Sequence, residues 1–285
     1  MNSVGITTDC VCDLPGEYLR ANGVDLVDFY ITTDTGRFKD GCEITSENIL
    51  EYLEEGGGKA ETNAPDAADY QAFFEKRLER YGEIVHLSTS SHIGFSYQNA
   101  MSALEGMGEA GKRVTVVDSE QLSTGMGHLV MRAVEMRDAG SEASEIVKEI
   151  ISLRKKVSMT FITQSVAPLY RFIRIGPRAR RLCAFFAIRP VLCVRNGRIS
   201  LKSFRIGNDE KSVIRHVRSE LKRGGQINGG RLFITHAGCT VKMIAQIRAE
   251  AERLRAFDEV VVTQASATVS VNCGPGTVGV VFIQK

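Results

Sequence analysis

The sequence predicts an α/β protein of two domains: an N-terminal parallel sheet with helices on both faces and a C-terminal mixed α/β domain. In the first half, short apolar runs typical of strands alternate with helical patterns. In the second half, Asn196-Gly197 separates two apolar runs and predicts a hairpin with antiparallel strands. Because the length of 285 residues exceeds that of an average domain, we expect domains at residues 1–157 and 158–285.

The elements of the N-terminal domain follow one another as strand, loop and helix. Val4–Thr8 predicts a buried strand, and Pro15 opens a helix that continues to about Arg20. The later predicted elements are a strand at Val24–Ile31, a helix capped by Thr45, a helix at Asp69–Tyr81, strands at Ile84–Leu87 and Val114–Val117, and helices at Ser96–Met107, Thr124–Ala139 and Ile146–Lys156. Ligands bind at the carboxyl ends of parallel strands, so the loops that begin at Asp9, Ser88 and Asp118 are candidates for one site.

The C-terminal domain is predicted to begin with a strand at Met159–Thr163. Its other predicted elements are strands at Val191–Val194, Ile199–Ser203, Leu232–Thr235, Val260–Thr263 and Val278–Ile283, and helices at Glu210–Leu221 and Val241–Arg255.

The amino-acid composition limits the classes of protein to which this chain can belong. With 43% hydrophobic and 25% charged residues, the chain has the profile of a globular protein that buries a core, which excludes disordered and collagen-like classes. Seven scattered cysteines predict neither a disulfide framework nor a zinc site, and the five histidines show no metal-binding spacing, so we expect no metal and no cofactor. Without a signal-like N-terminus or a run of about 18 apolar residues, the protein is expected to be cytoplasmic with no integral membrane segment.

Four clusters rich in hydroxyl groups and glycine stand at predicted strand ends. They are Thr62-Asn63-Ala64-Pro65, Ser88-Thr89-Ser90-Ser91, Asp118-Ser119 with Ser123-Thr124-Gly125, and Cys273-Gly274-Pro275-Gly276. Hydroxyls and backbone N–H groups before a helix are donors suited to an anionic oxygen, although ordinary helix capping uses the same residues. Four convergent clusters favour a binding site for an anion.

Two other functions remain open at this point. Asp9 and Asp118 could be the acid and base of a hydrolase, but the chain has no evident pair of nucleophile and base, so we assign no catalytic residue. Residues 171–205 contain ten Arg or Lys and no Asp or Glu, which could bind nucleic acid. Core packing is the favoured role of the aromatic residues in that segment, whereas Arg174 and Arg205 could supply a cation for a bound anion.

Short segments along the whole chain, read in order, follow the motifs of one known protein family. Thr8-Asp9-Cys10-Val11-Cys12-Asp13-Leu14-Pro15 is similar to the family's T-D-S-x-x-D-L-P, and Thr62-Asn63-Ala64-Pro65 falls on its T-S-Q-P loop. The other matching segments are Lys39-Asp40-Gly41-Cys42-Glu43-Ile44-Thr45, Ser90-Ser91-His92-Ile93, Tyr97-Gln98-Asn99-Ala100, Val117-Asp118-Ser119, Gly125-Met126-Gly127, Arg174-Ile175, Arg189-Pro190-Val191-Leu192 and Gly274-Pro275-Gly276.

Together these segments resemble the DegV family of bacterial lipid-binding proteins. The resemblance implies a carrier that buries one long-chain fatty acid as a ligand between its two domains and offers it to a separate fatty acid kinase, whose acyl phosphate enters phospholipid synthesis. It implies carboxylate ligands at Thr62 and Ser91, with Ser90 as the alternative, and places Arg205 where the family has an arginine. Asn272 and Gly274 complete the predicted site. Under this interpretation the protein is not an enzyme and has no nucleic acid partner.

Three segments depart from the family pattern. Asn272 stands where the family has a histidine before G-P-G, so a cationic imidazole is lost while an amide donor remains. Gly94-Phe95-Ser96 replaces S-G-T and is expected to place an aromatic ring near the entrance of the pocket. Arg171-Phe172-Ile173 replaces a glycine-rich turn.

Overall fold

The computed structural model describes residues 4–56, 58–164, 188–207, 210–222 and 227–285, which form two compact units. Unit 1 comprises Met1–Thr45, Gly58–Lys155 and Asn196–Arg198. Unit 2 comprises Ser46–Gly57, Lys156–Arg195 and Ile199–Lys285. The α/β class predicted from the sequence is confirmed, with a parallel sheet in unit 1 and a mixed sheet in unit 2.

Unit 1 is built on a parallel sheet of four strands in the order β2-β1-β6-β7, next to a separate sheet of three strands in the order β4-β3-β5. Its strands are β1 (Val4–Asp9), β2 (Asp25–Val27), β3 (Tyr30–Thr32), β4 (Arg37–Lys39), β5 (Glu61–Asn63), β6 (Glu83–Ser88) and β7 (Val114–Asp118). The helices in this part of the chain are α1 (Gly16–Ala21), α2 (Ser46–Glu54), which belongs to unit 2, α3 (Ala67–Leu78), α4 (Ser96–Gly106), α5 (Ser123–Asp138) and α6 (Ala143–Leu153).

Helices cover both faces of the parallel sheet. On one face, Tyr70 and Phe74 of α3 and Ala100 of α4 share a buried cluster with Ile84 of β6. Because side chains alternate along a strand, Val85 points to the opposite face, and α5 and α6 contact the sheet as well. After its exposed first residue, β6 is therefore buried along its whole length.

The predicted strand Val24–Ile31 is wrong as a single element, because β2 and β3 lie in different sheets. The break falls at Phe29, whose N–H donates to Cys10 Sγ at 3.2 Å and whose carbonyl accepts from the N–H of Asp40 at 2.9 Å. Both backbone groups of Phe29 are thus used outside the parallel sheet. Periodicity alone cannot detect such a break inside a continuous apolar run.

Unit 2 contains a mixed sheet of six strands in the order β10-β9-β8-β13-β11-β12. These strands are β8 (Val157–Ile162), β9 (Ile188–Arg195), β10 (Arg198–Ile206), β11 (Ile227–Ala237), β12 (Glu259–Gln264) and β13 (Thr277–Gln284). β11 pairs parallel with β12, whereas β13 runs antiparallel to both β11 and β8. The predicted hairpin is confirmed between β9 and β10, where Asn196 and Gly197 have φ of 49° and 73°, as a two-residue type I′ turn requires.

The helices that follow in unit 2 are α7 (Glu210–Leu221), α8 (Val241–Leu254) and α9 (Ala267–Cys273). Val213 of α7 and Ile247 of α8 pack on Ile234 and Val280 of the sheet in one buried cluster. Helix α9 is absent from the sequence-based prediction. Its β-branched residues favour strands, and its start is fixed instead by Ser266, whose hydroxyl accepts from Val269 N at 3.3 Å.

Helix α2 explains why unit 2 is not continuous in sequence. Leu50 of α2 packs with Ala237 and Cys273, and Ser46 Oγ lies 2.6 Å from Ser270 Oγ of α9. The compact units differ from continuous domains at 1–157 and 158–285 in the segment Ser46–Gly57, in the hairpin tip Asn196–Arg198 and at the boundary, where unit 2 resumes at Lys156. Within the described ranges, no helix is long and apolar enough to cross a membrane.

Candidate ligand-binding site

The parallel sheet of unit 1 brings three polar loops to one edge. Ser88 is aligned with Asp118 across β6 and β7, and Thr8 with Leu87 across β1 and β6. The loops that follow Asp9, Ser88 and Asp118 therefore begin side by side, as the alternation of strands and helices predicts.

Asp9 is the centre of a buried hydrogen-bond network at this edge, and its side chain has no exposed surface. Oδ1 accepts from the Tyr70 hydroxyl at 2.6 Å. Oδ2 accepts from Ser96 Oγ at 2.5 Å, from Thr89 N at 2.7 Å and from Ser88 Oγ at 3.4 Å. A buried carboxylate is costly unless several donors meet it, and these donors meet that condition.

His86 belongs to the same network and links Asp9 to Thr7. Its Nε2 lies 3.4 Å from Asp9 Oδ1, and its Nδ1 lies 2.9 Å from Thr7 Oγ1. The imidazole packs edge-on to the rings of Phe74 and Tyr70, with centroids 5.2 Å and 5.5 Å away.

The electrostatics of the network keep Asp9 ionised. Burial by itself would raise the pKa of Asp9, but the imidazole of His86, Ser96 Oγ and Thr89 N favour the anion more, so the pKa lies below its ordinary value. Burial and the neighbouring Asp9 charge raise the pKa of Tyr70 well above its ordinary value, so this phenol stays a donor.

The carboxylate of Asp118 fixes the start of the loop after β7 and contacts the loop after β6. Its Oδ1 accepts from Glu120 N at 2.8 Å and from Ser91 N at 3.3 Å. The hydrolase alternative would need Asp9 and Asp118 to face a substrate, yet Asp9 accepts hydrogen bonds from Tyr70 and Ser96 and from the loop after β6, and Asp118 accepts from the Glu120 and Ser91 backbone. This arrangement supports a structural role for each.

The two adjacent serines of the loop after β6 differ in their environment. Ser90 is 1% exposed, and its hydroxyl donates to Gly197 O at 2.7 Å. A Cβ at position 197 would lie 2.6 Å from Ser90 Oγ, so only glycine fits at this contact. Ser91 is partly exposed, and its hydrogen bonds to described residues use its backbone N–H and carbonyl.

Helix α4 joins the Ser91 loop to the loop after β5. Thr62 lies on β5 opposite Ile31 of β3. Asn99 Nδ2 donates to Pro65 O at 2.7 Å, at the end of the Thr62 segment. One residue earlier on α4, Gln98 Nε2 donates to Ser91 O at 3.2 Å. Consecutive side chains of one helix therefore bind the two segments that carry the predicted hydroxyl ligands.

The other predicted site residues belong to unit 2. Asn272 is in the last turn of α9, where its Nδ2 donates to Thr268 O at 2.8 Å. Gly274 ends the helix with φ of 78°, a value that favours glycine. Gly276 donates its N–H to Ala237 O at 2.7 Å, which fixes the turn to the end of β11. Arg205 is on β10 and donates from Nη1 to Phe204 O at 3.3 Å.

Sequence reasoning missed the roles of Tyr70 and Ser96. Tyr70 lies inside a predicted helix, where no local sequence pattern indicates a role for its hydroxyl. Its partner Asp9 is 61 positions away in the sequence. Ser96 stands out in the sequence only as a displaced hydroxyl in Gly94-Phe95-Ser96, whereas its Oγ bonds to Asp9. Phe95 of the same segment is 75% exposed.

Arg174 and the departure at Arg171-Phe172-Ile173 lie outside the described residues, as do all residues of the basic segment 171–205 before residue 188. Among the residues that are described, no group of three or more His, Cys, Asp or Glu side chains could hold a metal ion.

These features define an α/β protein with hydroxyl-rich loops gathered at strand ends. The chain belongs to the DegV family: the family model, described as "Uncharacterised protein, DegV family", matches residues 3–285. The chain is 28% identical to a DegV domain-containing protein of Deinococcus radiodurans over 289 residues, 98% of this chain and 97% of that protein.

Two solved structures of similar fold are described with a fatty acid as the ligand. A DegV family protein from Thermus thermophilus, described by its fatty acid binding, is 25% identical with a TM-score of 0.87 and covers 99% of this chain and all of its own. A DegV family protein from Eubacterium eligens loaded with heptadecanoic acid has a TM-score of 0.84 at 20% identity, covering 99% of this chain and 100% of that chain. At this lower identity the likeness shows the fold alone.

Proposed function

We propose that this protein binds one long-chain fatty acid and holds it by the carboxylate. The observation that carries the proposal is the match over 99% of the chain to the Thermus thermophilus protein described as binding fatty acid. The hydroxyl-bearing loops of unit 1 support it, because a carboxylate with an apolar tail needs several donors when it leaves water.

Within this proposal, Thr62 and Ser91 donate to the carboxylate. Support for Ser91 over Ser90 comes from the hydroxyl of Ser90, whose proton is directed at Gly197 O. Asn272, Gly274 and Arg205 complete the proposed set: the amide donates, glycine allows close approach of the backbone, and the guanidinium supplies positive charge.

The proposed role is that of a carrier without catalytic activity, which offers the acid to a separate fatty acid kinase for phospholipid synthesis. The loop-holding bonds of Asp9 and Asp118 support the absence of an acid and base pair. The kinase step follows from the family resemblance of the motifs.

We propose the cytoplasm as the compartment. Cys12 and Cys193 are buried thiols that form no disulfide. Free buried thiols are typical of proteins kept in reducing surroundings.

The experiment is extraction of lipid from protein purified from a bacterial host. The protein is denatured, extracted into organic solvent and analysed by mass spectrometry, with a similarly expressed protein that binds no lipid as the control. About one fatty acid per chain is expected for a single apolar site. Folded protein that releases no lipid and takes up no added fatty acid would rule the carrier function out.

A further inference from the structure

Asp9 holds both ends of the loop that contains Ser91. Thr89 N donates to Asp9 Oδ2 at 2.7 Å where the loop leaves β6, and Ser96 Oγ donates to the same oxygen at 2.5 Å where α4 begins. Residues 90–95 therefore span two points fixed on a single carboxylate oxygen.

We propose that Asp9 is a positioning residue that sets the place of the Ser91 hydroxyl for the carboxylate of the ligand. This inference rests on the proposed function and names the group that organises the site. Asp9 is fully buried, so it acts through the loop and not by touching the ligand.

The remaining contacts make the carboxylate a rigid anchor. Tyr70 of α3 donates to Oδ1 at 2.6 Å, and His86 Nε2 lies 3.4 Å from the same atom. The Asp9 carboxylate is thus fixed by His86 of β6 and Tyr70 of α3, and it in turn fixes the Ser91 loop. An acceptor fixed on several sides keeps its orientation better than one fixed on a single side.

The network also fixes the direction of neighbouring hydroxyl groups. Ser96 Oγ donates to Asp9 Oδ2 at 2.5 Å, and Ser88 Oγ lies 3.4 Å from the same oxygen and 2.9 Å from Ser96 Oγ, so both hydroxyls belong to the network around the buried carboxylate. Ser91 differs, because its bonds to described residues use only its backbone. Asp9 therefore engages the two flanking serines and leaves Ser91 as the one we assign to the ligand.

The substitution that tests this role is Asp9→Asn, which keeps the size of the side chain but replaces one acceptor oxygen by a donor. That amide would face either Thr89 N and Ser96 Oγ or Tyr70 and His86. With the amide nitrogen toward Thr89 N and Ser96 Oγ, donor faces donor and the end of the Ser91 loop is freed. With the amide nitrogen toward Tyr70 and His86, the remaining oxygen still accepts from Thr89 N and Ser96 Oγ, but both hydrogen bonds weaken because the acceptor has lost its charge.

Asp13→Asn is the matched control. Asp13 is also a buried carboxylate, 5% exposed, and accepts from Ser123 Oγ of α5. The control carries the same chemical change at a buried site outside the Ser91 loop.

The readout is the affinity for palmitic acid relative to that for hexadecanol, measured on delipidated, folded protein. A loss of general stability would weaken both ligands alike, whereas a displaced Ser91 weakens the ligand with a carboxylate more, because a hydrogen bond to a charged acceptor is stronger than one to a neutral hydroxyl. We expect Asp9→Asn to lower the acid-to-alcohol ratio roughly 10-fold or more, the scale of a hydrogen bond to a charged group. Asp13→Asn should leave the ratio unchanged.

If Asp9→Asn does not fold, Ser96→Ala tests the same role, because it removes one of the two hydrogen bonds that join the Ser91 loop to Asp9. A smaller fall of the same ratio is expected. An unchanged ratio in the folded variant, or equal losses for both ligands, would overturn the role of Asp9. Two further results separate this proposal from the proposed function. If Ser91→Ala lowers the affinity for the acid while Asp9→Asn does not, only the positioning role of Asp9 fails. If the wild-type protein binds no acid, the proposed function itself fails.

Discussion

Asn99 Nδ2 donates a hydrogen bond to Pro65 O across 2.7 Å, linking α4 to the segment that carries Thr62. Asn99→Ala should reduce the free energy of unfolding by roughly 1 kcal/mol, because a partly buried carbonyl loses its partner. Urea denaturation measures this change. Gln71→Ala, which removes a solvent-exposed hydrogen bond from the half-buried Gln71 of α3 to Glu75, is the control and should change stability by less than about 0.5 kcal/mol. Equal effects of the two substitutions would contradict a fixing role for Asn99.

Thr62→Val and Ser91→Ala separate a ligand role from a capping role. If each hydroxyl donates to a buried carboxylate, each substitution should weaken fatty acid binding by roughly 1.5 to 3 kcal/mol and change the stability of lipid-free protein less. If the hydroxyls only cap local structure, stability should fall by about 1 kcal/mol and affinity should stay the same.

Both quantities are measured on the same variants by ligand titration and by denaturation without lipid. Ser102→Ala, an exposed serine of α4, is the control and should change neither. Loss of stability without loss of affinity would remove Thr62 and Ser91 from the site.

Asn272→His restores the imidazole that the family carries before its G-P-G turn. The expected result is fatty acid affinity close to that of the wild type with an altered rate of phosphorylation by a competent kinase, because an imidazole can become cationic and an amide cannot. Thr268→Val alters the same helix without adding an imidazole and serves as the control. Equal kinase turnover with the wild-type protein and with the Asn272→His variant would contradict the idea.

Stability at acid pH tests the buried charge of Asp9. Since the folded-state pKa of Asp9 lies below its ordinary value, its stabilising contribution is present above the unfolded pKa of about 4 and is lost as pH falls through the lower folded pKa. The difference in unfolding free energy between wild type and Asp9→Asn should therefore be constant near neutral pH and shrink below about pH 4. A difference independent of pH down to acid unfolding would show that the charge of Asp9 contributes nothing.

Local patterns predict a strand well where a short run of mainly apolar, β-branched residues lies between polar loops. The predicted strands Ile84–Leu87 and Val114–Val117 agree within a residue or two with β6 and β7 for this reason. The break at Phe29 is not predictable in this way, because it depends on a bond to Cys10 from a different part of the chain.

The candidate site was predictable only in part for the same reason. Ser90 and Ser91 are adjacent and chemically alike, and only the approach of Gly197, 107 positions away, distinguishes them. The docking of α2 in unit 2 depends on Ser46 meeting Ser270, a pair that no local pattern relates. Contacts distant in sequence thus decide which hydroxyls are used inside the protein.

Carboxylate recognition is measured by titrating delipidated protein with a long-chain fatty acid and counting the bound molecules by native mass spectrometry. We expect one acid bound per chain, with the matched alcohol bound roughly 10-fold or more weakly because it lacks the charged acceptor. Folded protein that binds no acid, or binds acid and alcohol equally, would contradict a site built to hold a carboxylate.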